Sequence, residues 1–330
     1  MKVKGNYDYS ISLVRLIATV FIVTCHIMQY LDIELAWWFN VGVQIFLCMS
    51  GYLYGKREKI YDDLTFYKNN FIKILIDYYV VIIPVIILFI IFIPEQLSKM
   101  TTVRVLLTYG TLNGGEHLWY IPYCLFSYLI TPFLSHYFAK NEHSVRRFLM
   151  LSILSIVITE TFFKYFNSAL IFCYVFGFFL GSISDCTKRK LFKTIGILVV
   201  PIAVLFNLIQ IVQDYVIKLE LNGVIGSLYG RFCNFAHVFL GIALFIIFKS
   251  VFSGIFKNGY PDSIKKICLY SDKYSYDVYL VHQFLILGPF SLMILTNNIG
   301  INIVLIIAIT IACAVVVNYI STRIKRIILK

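Results

Sequence analysis

Arg15 and His26 stand eleven positions apart in the first long apolar run of the 330-residue chain, Ile11 to Leu31. Eleven steps of ~100° come to about three full turns, so on a helix both side chains project from nearly one face, roughly 16 Å apart along the axis. An ionisable group at membrane depth is costly to keep and is therefore a candidate for function. The chemistry on offer is anion binding by a permanent cation near one end and proton transfer by a neutral imidazole near the other. A structural account competes with it: Arg15 can snorkel to lipid phosphates, and His26 can be a hydrogen-bonded packing residue.

Other polar groups recur in apolar surroundings. His117, Trp119 and Tyr120 open the fourth apolar run in His117-Leu118-Trp119-Tyr120-Ile121-Pro122, where an interfacial aromatic belt would explain the Trp and Tyr equally well. Arg231, Asn234 and His237 recur every three residues in the eighth run and so share a face turned toward a cavity or a partner helix. His282 lies in the ninth, within Tyr276 to Gln283, as either a structural or a catalytic histidine. Ser50-Gly51-Tyr52 closes the second, its glycine admitting a close helix approach or an irregular turn. Glu160 and Asp77 are carboxylates inside predicted spans, each a candidate partner for a buried cation. The eight cysteines are scattered singly, with no Cys-x-x-Cys and no Cys/His grouping at zinc spacing, so no metal site is expected. Cys25 adjoins His26, but helix neighbours point ~100° apart, which argues against a Cys/His nucleophilic couple. Walker, dinucleotide and Gly-x-Ser-x-Gly motifs are missing from the sequence.

The elements that must position these groups follow from composition. Hydrophobic residues make up 60% of the chain and charged residues 14%, and the mean hydropathy is +0.82, far from soluble domains. The expected fold is all-α and integral to the membrane, one domain over residues 1–330 with about ten transmembrane helices, at 11–31, 37–55, 73–93, 117–138, 147–165, 169–184, 192–213, 227–248, 273–295 and 300–321. The first run is too long for a signal-peptide core and has no small-residue cleavage pattern after it, so it reads as a retained span. The connection at 164–168 would also fit a kink inside one re-entrant element. With the N-terminus inside, 23 of the 29 basic residues fall in inner segments, Lys99, Arg104, Lys164, Lys218 and Arg231 fall outside, and Arg15 stays in a span. That asymmetry predicts both termini on the cytoplasmic side of the plasma membrane. Anionic inner-leaflet lipid then accounts for the net charge of +12, and no nucleic-acid partner is expected. Arg15 would sit near the cytoplasmic end of its helix and His26 toward the outer end.

Four motifs in order now acquire a joint meaning: Arg15 and His26 with ten residues between them, Phe46-Leu47-Cys48-Met49-Ser50-Gly51-Tyr52-Leu53, His117-Leu118-Trp119-Tyr120, and Tyr276-Asp277-Val278-Tyr279-Leu280-Val281-His282. Over nearly its whole length the chain resembles the acyltransferase 3 family of integral membrane acyltransferases. The resemblance implies transfer of an acyl group, commonly acetyl, from cytoplasmic acyl-coenzyme A to a hydroxyl of a cell-surface polysaccharide or related glycan, with Arg15 and His26 as the essential pair. It implies no permanently bound cofactor, acetyl-CoA or another acyl-CoA being a co-substrate. The implied partners are acyl-CoA, a glycan or lipid-linked saccharide acceptor and the bilayer, with a homo-oligomer or a glycan-synthesis complex left open.

One departure matters. Relatives carry an Arg-rich segment running into a proline at the third span, whereas this chain has Lys73-Ile74-Leu75-Ile76-Asp77-Tyr78-Tyr79 with Pro84 later. The coenzyme phosphates would therefore fall to Arg15 and to loop cations such as Lys56, Arg57 or Lys73. His26 would take the proton of the acceptor hydroxyl or carry the acyl group transiently, and both routes stay open. Trp119 and Tyr120 are candidate oxyanion donors; Ser50, Tyr52, His117, Arg231, His237 and His282 are further candidate substrate contacts. A rival reading from another class is a transporter, importing a small serine-like solute or exporting a glycan, which would also place polar groups at mid-membrane. No inverted repeat supports it in the sequence. A scaffold within a glycan-synthesis complex is the third reading, under which polar-to-Ala changes in the spans would be silent.

Overall fold

A computed structural model describes residues 7–57, 63–139, 144–162, 166–183 and 186–329. Among the described residues regular structure is entirely helical, with no strand, as expected where hydrocarbon leaves each backbone polar group to find a partner within its own element. The helices are α1 (Tyr9–Tyr30), α2 (Ala36–Phe39), α3 (Gly42–Gly55), α4 (Asp63–Phe92), α5 (Lys99–Leu106), α6 (Tyr120–Phe138), α7 (Ser144–Phe162), α8 (Ser168–Ser182), α9 (Cys186–Ile211), α10 (Gly223–Ile255), α11 (Asp262–Ile286) and α12 (Ile299–Ile328).

Among the described residues six segments are long and apolar enough to cross a membrane: α1, α4, α6 with the 3-10 turn before it, α9 from Lys190 with its terminal π turn, α10 and α12. The other four predicted spans fall on α3, α7, α8 and α11. With 14 and 15 residues, α3 and α8 are shorter than the ~20 residues needed to cross the hydrocarbon core. Helix α7 carries Arg146, Arg147 and Glu160 within its 19 residues, and the first half of α11 carries Asp262, Lys265, Lys266 and Asp272. The ninth run also ends sooner than the sequence predicts, since α11 stops at Ile286 and Gly288 turns the chain with φ +79°. Helix α8 has its own start rather than continuing a kinked α7: the Asn167 side chain accepts from the Ala169 N–H at 3.0 Å. Residues 163–165 of that connection lie outside the described residues.

The chain divides into two compact units. One comprises Met1–Val14, Val41–Tyr61 and Ile130–Tyr260. Its centre is the crossing of α3 and α8, where Gly51 and Gly55 meet Gly177 and Gly181. A Cβ at Gly51 would fall on the Tyr174 carbonyl, at Gly55 on that of Phe178, at Gly177 on that of Cys48, and at Gly181 on that of Tyr52. Two glycine pairs at four-residue spacing thus let the backbones touch, the close approach the sequence allowed at Gly51. Around the crossing, the buried Tyr174 hydroxyl meets Thr131 Oγ1 at 2.6 Å. Asp8, just before α1, receives Ser10 Oγ at 2.5 Å and Lys56 Nζ at 3.2 Å. Burial pushes the Asp8 carboxyl up, but the Ser10 hydrogen bond and the charges of Lys249 and Lys56 outweigh it and hold the group below its usual range.

The second unit comprises Arg15–Asn40, Asp62–Leu129 and Pro261–Lys330. Helices α4, α11 and α12 are tied by Lys325 Nζ, which lies 2.5 and 2.6 Å from the two Asp77 oxygens, and by Asn318 Nδ2 donating to Asp277 Oδ2 at 2.9 Å. A buried core of Ile286, Met293 and Ile306 gathers Val23, Ile27, Tyr30 and Leu31 of the α1 end. Gly114 and Gly288, both at positive φ, touch backbone to backbone, and a Cβ at Gly114 would lie 2.5 Å from the Leu287 carbonyl. Only glycine tolerates both the dihedral and the approach. Their contact seats the 3-10 turn Glu116–Trp119 on the end of α11.

Candidate active site

The second unit brings three histidines together. The ring of His26 on α1 lies 5.0 Å from that of His282 on α11 and 6.1 Å from that of His117 on the 3-10 turn, and His117 and His282 are 5.0 Å apart. All three are buried, at 8% exposure for His26, 3% for His117 and 0% for His282. His26 is thus the one a substrate reaches most readily.

Hydrogen bonds fix the tautomers. His282 Nδ1 lies 3.1 Å from the Val278 carbonyl and 2.8 Å from that of Tyr279; a carbonyl only accepts, so Nδ1 carries the hydrogen and Nε2 the lone pair. His117 Nε2 faces the Leu280 carbonyl at 3.3 Å, which leaves its lone pair on Nδ1. Both lone-pair nitrogens are buried without a hydrogen-bond partner among the described residues. His26 Nδ1 lies 2.6 Å from Gln29 Oε1. The turn holding His117 is pinned twice to α11: its N–H donates to Gln283 Oε1 at 2.8 Å, and the Tyr279 hydroxyl donates to its carbonyl. Gln283 Nε2 in turn donates to Glu116 Oε2 at 2.8 Å, and Glu116 Oε1 accepts the Gly114 N–H at 3.0 Å. Among the described residues no group of three or more His, Cys, Asp or Glu is arranged to hold a metal ion.

Arg15 and His26 both face α11. Arg15 Nη1 meets Asp272 Oδ1 at 2.5 Å with both side chains partly exposed, and His26 meets His282. Eleven steps along α1 match ten along α11, so the two helices run side by side in the same direction, with an ion pair at one level and the imidazoles about three turns, roughly 15 Å, farther on.

The remaining candidates are placed as follows. Tyr120 is buried, its ring 5.4 Å from that of Tyr279, itself 5.1 Å from His117. Trp119 is partly exposed and stacks edge-on with Tyr120 and Tyr123. Lys73 lies exposed on α4. These belong to the same unit as the histidines. Ser50, Tyr52, Arg57, Arg231 and His237 belong to the other unit. There Ser50 is half-buried, and Tyr52 packs on Phe245 with the Lys249 ammonium 5.4 Å from its ring centroid. The exposed Arg57 guanidinium lies over Tyr54. Arg231 Nη2 pairs with Glu160 Oε2 at 3.0 Å, and His237 is buried. Of the two carboxylates that could partner a buried cation, Asp77 meets the largely buried Lys325, whereas Glu160 pairs with Arg231, an exposed cation.

Sequence reasoning gave no individual role to Gln29, Glu116, Asp272, Tyr279 or Gln283, although Tyr279 and Gln283 stand in the segment around His282. A signal existed for two of them: Gln29 is three residues from His26 on one helix face, and Gln283 directly follows His282. Asp272 gave none, since it meets Arg15 across 257 positions of sequence.

No curated protein and no solved structure matches the chain. A family model described as an acyltransferase domain matches residues 8–320, which takes in Arg15, all three clustered histidines and the helices that carry them. With nearly its whole length covered, the chain belongs to the acyltransferase 3 family of membrane acyltransferases.

Proposed function

We propose that the protein is a plasma-membrane O-acyltransferase that moves an acetyl group from cytoplasmic acetyl-CoA to a hydroxyl of a cell-surface glycan. The observation that carries this reading is the cluster of His26, His117 and His282 in a chain of this family. His26, the most exposed of the three, is the base. The acceptor hydroxyl gives its proton to the free imidazole nitrogen as its oxygen attacks the thioester carbonyl. A C–O bond forms, the C–S bond breaks, and the departing thiolate takes the proton back from the imidazolium. Of the predicted oxyanion donors we favour Tyr120, which is buried and packs on Tyr279, itself against His117. Arg15 spends one nitrogen on Asp272, and a guanidinium has five N–H donors, so it keeps others for the coenzyme phosphates, with the exposed Lys73 of the same unit as a supporting cation.

The test is genetic and chemical together. Glycans from a strain lacking the gene should lose acetyl ester mass increments, the parental gene should restore them, and a His26→Ala gene expressed to the same level in the membrane should not. Unchanged glycans in the deletion strain would overturn the acceptor assignment.

A further inference from the structure

We infer that Gln29 is a positioning residue for His26, holding its hydrogen on Nδ1 so that the Nε2 lone pair meets the acceptor hydroxyl. The inference rests on the reading of His26 as the base and adds the device that prepares it. Gln29 Oε1 lies 2.6 Å from His26 Nδ1 on the same helix, one turn farther along. An amide oxygen accepts, so this contact selects the Nδ1–H tautomer. His117 and His282 have their tautomers set by main-chain carbonyls of α11, which no substitution can remove. In His26 the same task falls to an exchangeable side chain, and Gln29 is itself exposed, so it can be replaced without opening the core.

An amide in this place has a further consequence. A carboxylate would stabilise the imidazolium and delay return of the proton to the leaving thiolate; a neutral amide orients the ring and adds no charge. The other groups facing His26 are compatible with that role: His117 and His282 are the titratable neighbours, and the flanking α1 residues Val23, Ile27 and Tyr30 pack against apolar Ile286, Met293 and Ile306.

Gln29→Glu and Gln29→Ala test this in the purified full-length protein. Glu keeps the acceptor and adds a charge, so the acid limb of the kcat/KM profile should move up by about one pH unit, with activity regained at higher pH. Ala removes the acceptor, so kcat should fall about tenfold with KM for acetyl-CoA unchanged, the loss expected for one orienting hydrogen bond. Carbethoxylation of the His26-containing peptide by diethyl pyrocarbonate, followed by mass spectrometry across pH, reads the same change without turnover, and its midpoint should rise in Gln29→Glu. A Glu variant whose pH profile and modification midpoint both overlay the parent, or an Ala variant with parental kcat, would overturn the inference. Full activity in His26→Ala would instead overturn the reading it rests on, leaving the modification midpoint to judge Gln29 alone.

Discussion

At the scale of residues, two groups eleven positions apart are held to two levels of one neighbouring helix. The ion pair of Arg15 with Asp272 is partly exposed on both sides, and such pairs contribute at most about 1 kcal/mol to stability. On the proposed function its value lies in aiming the guanidinium at the coenzyme. Arg15→Lys keeps the charge and loses the planar fork, so KM for acetyl-CoA should rise about tenfold, the equivalent of one charged hydrogen bond, with thermal stability unchanged. Steady-state kinetics on the purified protein checks this, and an unaltered KM would make Arg15 structural. The shared face of Arg15 and His26 was legible because helix periodicity is local and fixed. The partners were not: Asp272 and His282 reach them from 257 and 256 positions away in the second half of the chain, and a single sequence carries no trace of which long-range pairs meet.

At the scale of elements, glycines set the geometry. The crossing of α3 and α8 leaves no room for a side chain at Gly177, whose Cβ would coincide with main-chain Cys48. Backbone cannot give way as a flexible side chain can, so Gly177→Leu should cost about 3 kcal/mol or more and lower the melting temperature in detergent by several degrees. Gly254, with open space where a Cβ would go, is the control: Gly254→Ala should be neutral or slightly stabilising, since alanine suits a helix interior better. Equal melting temperatures for Gly177→Leu and the parent would contradict the packing. The sequence left Gly51 open between a close approach and an irregular turn, and could not decide because the deciding group, Gly177, lies on another helix. It likewise extended the ninth run to 295, where hydropathy continues past the turn at Gly288 that ends α11. Apolarity reports burial or lipid contact and does not report where backbone direction changes.

At the scale of the whole molecule, composition alone announced an all-helical membrane protein, and family membership supports an acyltransferase. Among the described residues six helices have the length and apolarity to cross a membrane unaided; α3, α7, α8 and α11 are shorter or carry charges, a difference that run length in the sequence does not show. The distribution of Lys and Arg still makes a definite claim about sidedness. Epitope tags at either end should be detected only after the cells are permeabilised, and labelling of either tag on intact cells would contradict the positive-inside assignment.

The central claim is that His26 serves acyl transfer. Purified protein given radiolabelled acetyl-CoA and the glycan fraction of the deletion strain should pass label to glycan with matching release of free coenzyme A, and His26→Ala, inserted and folded equally, should lose at least about a hundredfold of that rate. Transfer by His26→Ala at the parental rate, or solute movement by the parent protein without consumption of coenzyme thioester, would contradict the account.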